Sequence, residues 1–341
     1  MIDVAIVGGG PAGAYCAYNL AENGIYPTIF DHSHPREKPC GGMISPLAQE
    51  LFPFLKTLPI HQIRRKIIYF ISPFNRKVPI KLAKSEAICV SRSDFDFFLL
   101  NMALDVGAIW IKEKVLNVKS KHGIWEIETN KNVYFAKKIV GADGVNSIVR
   151  KKVTVPLENK DKGICLGYFA ENLEEEEASF HFLPHRKGYI WIIPRRKSTS
   201  IGISCSEITR AKNLDYELKA FLKKHYPNIK TTHKWAACIP NIKETKTFKI
   251  PIAGTTWLLV GDAAGHVDPI YGEGIPYALL SGELAAQAIT ENNLPLYERL
   301  WRHAYGPRLM WSVKLRKWLY KRHVLECYFQ FLKIQSYILR S

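Results

Sequence analysis

The chain has 341 residues, enough for one large or two medium domains, and its 47% hydrophobic content, with 16 Tyr, 16 Phe and 8 Trp, excludes a disordered polymer. Lys and Arg number 48 against 31 Asp and Glu, a formal charge of +17 that calls for an anionic partner: nucleic acid, an acidic membrane surface or a phosphorylated substrate. The seven cysteines are scattered without a C-x-x-C, so no metal site and no disulfide framework is expected, and no run of 18 apolar residues suggests a transmembrane helix.

Ile2, Val4, Ile6 and Val7 read as a short buried strand. It starts so early that no signal peptide is expected, and with reduced thiols this indicates a cytoplasmic protein. Gly8-Gly9-Gly10 turns the chain, and Pro11-Ala12-Gly13 opens a helix with Ala14, Ala17, Tyr18 and Ala21 toward a sheet. Gly24 stops that helix, and residues 26–30 form a second strand ending at Asp31. The polar loop 32–46 is long enough to suggest a functional role. A helix is expected over 46–55, and two antiparallel strands over 63–82 around Ser72-Pro73-Phe74-Asn75. Ser93 caps a helix carrying Phe95, Phe98, Leu99, Met102 and Ala103, which Gly107 ends. Strands follow over 110–118, 123–129 and 133–140, then over 179–183, 188–194 and 199–204. The acidic run at 174–177 reads as a solvated turn. A helix over 215–225, strands over 232–239 and 257–260, and a helical remainder complete the pattern.

Gly8, Gly10 and Gly13 have the G-x-G-x-x-G spacing, between a strand and a helix. Gly8 permits the turn, Gly10 admits a pyrophosphate and Gly13 allows close helix–strand packing. Pro11 and Ala12 open the helix, whose N–H groups and dipole face the phosphates. Asp31 lies about the twenty residues on that a ribose-binding carboxylate requires, which suits FAD or NAD rather than NADP. Two later strand ends repeat the theme. Residues 140–150 bring Ala142-Asp143-Gly144 before a helix, and 258–279 bring Gly261-Asp262-Ala263 and Gly265, then Gly272, Gly274 and Ile275 before another. Each aspartate can accept ribityl or ribose hydroxyls, or serve only as a cap.

These three motifs together resemble the FAD-binding fold of the para-hydroxybenzoate hydroxylase superfamily. Within it, Pro39-Cys40-Gly41-Gly42-Met43-Ile44-Ser45 resembles the P-C-G-G loop of the geranylgeranyl reductase family. Residues 91–96 also match, with Arg92 where that family carries an arginine near the flavin, and 188–194 resembles its strand over the substrate cavity. Ile193 stands where the family usually has Phe, and Arg195 where Lys often follows the Pro. The resemblance implies an α/β fold: a Rossmann-like FAD-binding domain, an inserted, mainly antiparallel β-sheet substrate domain and a helical C-terminus. The expected segments are 1–60, 84–160 and 250–295 for FAD, 61–83 and 161–249 for the substrate sheet, and 296–341 for the basic helices. It implies an FAD-dependent oxidoreductase that saturates double bonds of a prenyl lipid, with Cys40, Tyr189 and Trp191 as catalytic candidates and Cys40, Gly41, Gly42, Met43 and Arg92 beside the flavin. The electron donor, NAD(P)H, ferredoxin or another, is left open. His266, Asp268 and Tyr271 are candidates for proton relay or for loop ordering.

The C-terminal region after Trp301 carries Arg302, Arg308, Lys314, Arg316, Lys317, Lys321, Arg322, Lys333 and Arg340 against Glu326. Trp311, Leu315, Trp318 and Leu319 form an apolar stripe beside Lys314, Lys317 and Lys321, the make-up of a helix lying on anionic lipid. No nucleic-acid module accompanies the charge, so nucleic acid is not expected as partner. The alternative readings are a flavin monooxygenase, a flavin halogenase and a non-enzymatic, membrane-associated flavoprotein redox sensor. The P-C-G-G loop argues against the first two.

Overall fold

A computed structural model describes residues 1–82, 86–171, 173, 177–196, 198–208, 211–232 and 234–338. Glu174, Glu175, Glu176 and Arg340 lie outside the described residues, as do the side chains of Arg322 and Lys333. In chain order the elements are β1 (Ile2–Val7), α1 (Pro11–Glu22), β2 (Thr28–Phe30), β3 (Met43–Ile44), α2 (Pro46–Leu51), β4 (Gln62–Arg65), β5 (Ile67–Ile71), β6 (Lys77–Lys81), β7 (Ala87–Val90), α3 (Arg92–Asp105), β8 (Ile109–Ile111), β9 (Val115–Lys121), β10 (Ile124–Thr129) and β11 (Val133–Gly141). There follow α4 (Ile148–Val153), β12 (Lys162–Ala170), β13 (Ala178–Phe182), β14 (Tyr189–Arg195), β15 (Ser198–Cys205), α5 (Leu214–His225), β16 (Trp235–Pro240), β17 (Trp257–Leu259), α6 (Ile275–Thr290), α7 (Leu296–Ala304), α8 (Gly306–Leu319) and α9 (Arg322–Ile338).

The chain divides into two compact units. The first is Met1–Arg36, Phe95–Asp161 and Ile239–Lys314. Its sheet runs β8-β2-β1-β11-β10-β9, with β17 also on β11. The pairs among β8, β2, β1, β11 and β17 are parallel, and β9-β10-β11 is an antiparallel meander. Helix α1 is buried almost all round, not only on the Ala14 and Ala17 side. The reason is α6: a Cβ on Gly282 would strike the Ala12 carbonyl, so the two helices lie in direct contact. The strand expected over 110–118 is broken into β8 and β9. Between them Glu113 turns inward and accepts hydrogen bonds from Thr129 Oγ1 (2.6 Å) and Asn132 Nδ2 (2.9 Å).

The second unit is Glu37–Asp94, Lys162–Cys238 and Leu315–Ser341. Its seven-stranded sheet runs β16-β12-β15-β14-β13-β5-β6, with β12-β15-β14-β13 and β5-β6 antiparallel and β13 parallel to β5. A small sheet, β3-β7-β4, accompanies it. Strand alternation gives the large sheet two faces. Leu166, Tyr168, Ile190, Ile192, Ile201 and Ile203 pack against Leu214, Leu218 and Leu222 of α5. The opposite face is aromatic. The helix expected over 46–55 stops at Leu51, because Pro53 lacks the N–H to continue it, and 53–57 form a 3-10 turn.

Residues 37–60 and 84–94 belong to this second unit, where the sequence reading grouped them with the FAD-binding segments. Glu37 to Arg195 and Cys40 to Ser200 hydrogen bonds tie that loop to the large sheet. The C-terminal helices also divide, at Lys314 and Leu315.

Candidate active site

In the first unit, register gathers the three motifs. Val7 pairs with both Phe30 and Gly141, and Gly141 pairs with Leu259. Gly8, Asp31, Ala142-Asp143 and Gly261-Asp262 therefore follow strand ends along one carboxyl edge, where open parallel sheets bind ligands. A Cβ on Gly8 would strike the Ala142 carbonyl, and one on Gly13 would strike the Gly8 carbonyl. Gly10 differs: nothing stands within 4 Å of the position its Cβ would take. No side chain caps α1 there, so its first N–H groups border open space of the kind a pyrophosphate fills.

Asp31 accepts from the Gly9 N–H (2.8 Å) and from the Ser33 N–H (2.8 Å) and hydroxyl (2.6 Å). Burial opposes its ionisation, but the His34 imidazole, with Nε2 3.5 Å from Oδ2, and the hydrogen bonds from Ser33 and Gly9 outweigh that and hold the carboxyl well below the usual range. An ionised acceptor fits ribose hydroxyls.

Asp143 is directed elsewhere. Its Oδ2 accepts from the Ile148 N–H (2.6 Å) and the Val149 N–H (3.3 Å), so it caps α4. Burial raises its carboxyl above the ordinary range, against the hydrogen bonds it accepts from Ser147 and the helix N–H groups. Among the described residues its Oδ1 is buried without a partner. Asp262 lies near the start of α6, where a Cβ on Gly274 would stand 3.6 Å from its Oδ1.

The loop residues divide their roles. Asp268 accepts from the Ile270 N–H (2.8 Å), the Tyr271 N–H (3.1 Å) and Ser312 Oγ (2.7 Å), which makes it a loop-ordering residue. His266 is fully buried, with Nδ1 2.9 Å from Tyr305 Oη and its ring over Trp301. Burial, with Arg150 and Arg302 nearby, pushes its pKa down to about 3. A residue the motif reading missed is Arg150. Buried, it donates through Nη1 to the Ala263 carbonyl (2.9 Å) and through Nε to the Val155 carbonyl (2.8 Å), holding the Gly261–Ala263 turn. Its signal was the closing arginine of 140–150.

In the second unit, Cys40, Gly41, Gly42 and Met43 lie along β14 and β7. The Gly42 N–H lies 3.4 Å from Cys40 Sγ, the Val90 N–H donates to the Gly42 carbonyl (2.8 Å), and Met43 pairs with Cys89. A Cβ on Gly41 would stand 2.6 Å from Ile193 Cδ1, and one on Gly42 would strike the Val90 carbonyl. The glycines are there because the loop lies flat on the strands. Arg92 is buried at the start of α3, with its N–H donating to Glu37 Oε1 (3.1 Å). Glu37 also accepts from Arg195 Nη1 (2.7 Å) and Ser91 Oγ (2.5 Å).

Tyr189 and Trp191 do share a face, as alternation requires. Trp191, however, is only 4% exposed, stacked on Trp235, with Nε1 donating to Ser200 Oγ (3.1 Å). Tyr189 is half-buried and meets Phe180 and Phe182. Phe70 continues the row beside Phe180, and Phe329 of α9 closes on Phe70 and Phe182. Sequence reasoning missed Phe70, Phe180 and Trp235. The signal for Trp235 was Gly167, paired in mid-strand with Gly202: the first leaves room for the Trp235 indole and the second for that of Trp191.

Residues 6–45 match the NAD(P)-binding Rossmann-like domain family, and residues 128–280 match the FAD binding domain family. The fold and these matches define the class as an FAD-dependent oxidoreductase. Within it the chain is similar to the geranylgeranyl reductases. It is 29% identical over 354 residues to a digeranylgeranylglycerophospholipid reductase of Methanococcus aeolicus, covering 94% of this chain and 86% of that one. It is 29% identical over 311 residues to a geranylgeranyl diphosphate reductase of Rhodobacter capsulatus, covering 84% and 74%. Its fold is shared with a geranylgeranyl bacteriochlorophyll reductase-like protein of Thermoplasma acidophilum (TM-score 0.85, 22% identity, 97% and 91% covered).

Proposed function

We propose that this protein reduces C=C bonds in a prenyl lipid or a related isoprenoid chain. The observation that carries the reading is the aromatic face of the second sheet: Phe70 of β5, Phe180 of β13, Tyr189 and Trp191 of β14 and Trp235 of β16 form a continuous row across the strands, and β14 also borders Gly41, next to Cys40. An isoprenoid has no polar handle along its length, so apolar contact must hold it.

Gly10, Pro11, Ala12 and Gly13 are assigned to the pyrophosphate of FAD, Asp31 to its ribose, and Gly261, Asp262, Gly272 and Gly274 to its flavin end. Ala142, Asp143, Gly144, Ala263, Gly265 and Ile275 shape that edge. When bound and reduced, FAD supplies the hydride to one alkene carbon, and a proton goes to the other. Tyr189 and Trp191 orient the chain, and Cys40 is the thiol that positions substrate or proton. An unconjugated alkene is weakly polarised, so positioning supplies much of the rate.

The electron donor is a separate partner, and an anionic membrane surface is a second. Support for the membrane is the outer face of α8, where Trp311, Leu315 and Trp318 are exposed beside Lys314, Lys317 and Lys321. Among the described residues no helix is long and apolar enough to cross a membrane.

The test is mass spectrometry of a geranylgeranyl lipid incubated with FAD-loaded protein and dithionite, NADPH or reduced ferredoxin. Products should be heavier by two hydrogens per saturated bond. Cys40→Ala should retain FAD and lose about tenfold or more of the rate. Oxygen or halogen incorporation, or no mass change with any donor, overturns the reading.

A further inference from the structure

Cys40 is held by a chain of hydrogen bonds that begins on the aromatic face. Trp191 Nε1 donates to Ser200 Oγ (3.1 Å), and Ser200 Oγ donates to the Cys40 carbonyl (3.0 Å). Both Trp191 and Ser200 are buried, Ser200 completely. Beyond the carbonyl, Cys40 Sγ lies against the Gly42 N–H. The loop is held at two more points. The Glu37 carboxylate binds Arg195 Nη1, and the Arg195 guanidinium, only 5% exposed on its side chain, lies 4.4 Å from the centre of the Phe169 ring and donates to Ser198 Oγ (3.1 Å). Gly42 is fixed on Val90.

Trp191 thus has two contacts at once. Its ring belongs to the aromatic row, and its N–H sets the hydroxyl that fixes the Cys40 backbone. A hydroxyl with one donor hydrogen and one incoming N–H has a defined direction, because Ser200 cannot receive from Trp191 and donate to Cys40 from many orientations. We infer that Ser200 is a positioning residue, which couples the Trp191 side of the aromatic face to the orientation of the Cys40 thiol. The inference deepens the reductase reading and rests on it only for its kinetic arm.

The chain predicts opposite movements of two observables. Ser200→Ala removes the donor to the Cys40 carbonyl, and Trp191→Phe keeps a ring while removing the N–H that directs Ser200. In each, the Cys40 loop loosens. Alkylation of Cys40 by iodoacetamide in the FAD-loaded protein, read by peptide mass spectrometry, should rise at least threefold. The buried Cys16, Cys89 and Cys165 should remain protected, which separates loop loosening from general unfolding. Ser200→Thr keeps the hydroxyl and should return the alkylation rate to within twofold of the parent. In the kinetic arm, each of the two substitutions should lower kcat at least fivefold with KM within threefold, and the double variant should be no slower than the slower single one. An unchanged or slower Cys40 alkylation overturns the inference, as does equal loss of protection at the buried cysteines or strict additivity of the rate effects. If the parent protein reduces no prenyl lipid, the reductase reading fails, and the alkylation arm still decides the positioning role.

Discussion

At the residue scale, Gly10 and Gly13 differ in what a side chain would meet. A side chain on Gly10 meets no protein atom, whereas one on Gly13 meets the Gly8 carbonyl. Gly10→Val should therefore fold, with unchanged far-ultraviolet circular dichroism, and purify without FAD. Gly13→Ala should lower stability even without the cofactor. His266 supplies a pH test. Its ordinary pKa of 6.5 falls to about 3 in the native state. Well above pH 6.5 it is neutral in both states and adds no pH dependence of its own. Below that, the unfolded chain binds a proton that the native state refuses, so stability falls by up to about 1.4 kcal/mol per pH unit until pH nears 3. His266→Asn cannot titrate, so the fall in urea stability between pH 6 and 4 should be shallower than in the parent by about 1 kcal/mol per pH unit. An equal slope would mean that His266 is protonated in the native state.

At the element scale, α8 has a split surface. Leu309, Val313 and Leu319 are buried, and so is Arg316. Leu319 was expected in the outward stripe one turn on from Leu315, but it is buried, three residues on from the buried Arg316 at the edge of the inward face. The exposed remainder is Trp311, Leu315 and Trp318 among lysines, with Lys321 Nζ 4.2 Å from the centre of the Trp318 ring. Each lysine near an anionic surface contributes roughly 1 kcal/mol, reduced by salt. Replacing Lys314, Lys317 and Lys321 by Glu should abolish sedimentation with anionic vesicles while FAD stays bound. Binding of the parent protein should be lost in high salt and be slight on neutral vesicles. Equal binding to neutral and anionic vesicles would remove the electrostatic part of the proposal.

At the scale of the whole molecule, FAD should stabilise the native state in proportion to its occupancy. A ligand at one hundred times its dissociation constant adds about 2.7 kcal/mol. Thermal unfolding with excess FAD should therefore shift upward by several degrees relative to the stripped protein. FMN, which lacks the adenosine that Asp31 and the α1 end would hold, should shift it less. An equal shift with FMN would count against those assignments.

The first strand, the glycine turn and Asp31 were legible in the sequence because they are local. A buried strand, a turn that only glycine permits and a helix start occupy consecutive residues, and their spacing is the signal. The Asp143 and Gly261-Asp262 strand ends were legible for the same reason, and their order along the chain indicated one cofactor fold. Tertiary structure alone decided which atoms these residues engage. Asp143 has the composition of a ligand-binding carboxylate, yet its Oδ2 caps α4. Trp191 reads as a cavity residue, yet its N–H is tied to Ser200 and through it to Cys40, a residue 160 positions from Ser200. Arg195 finds Glu37 across 158 positions, and the aromatic row joins strands that are distant in the chain. Local spacing fixes backbone geometry over a few residues, but a side chain's partner depends on strand register and packing, which become defined only when distant segments meet.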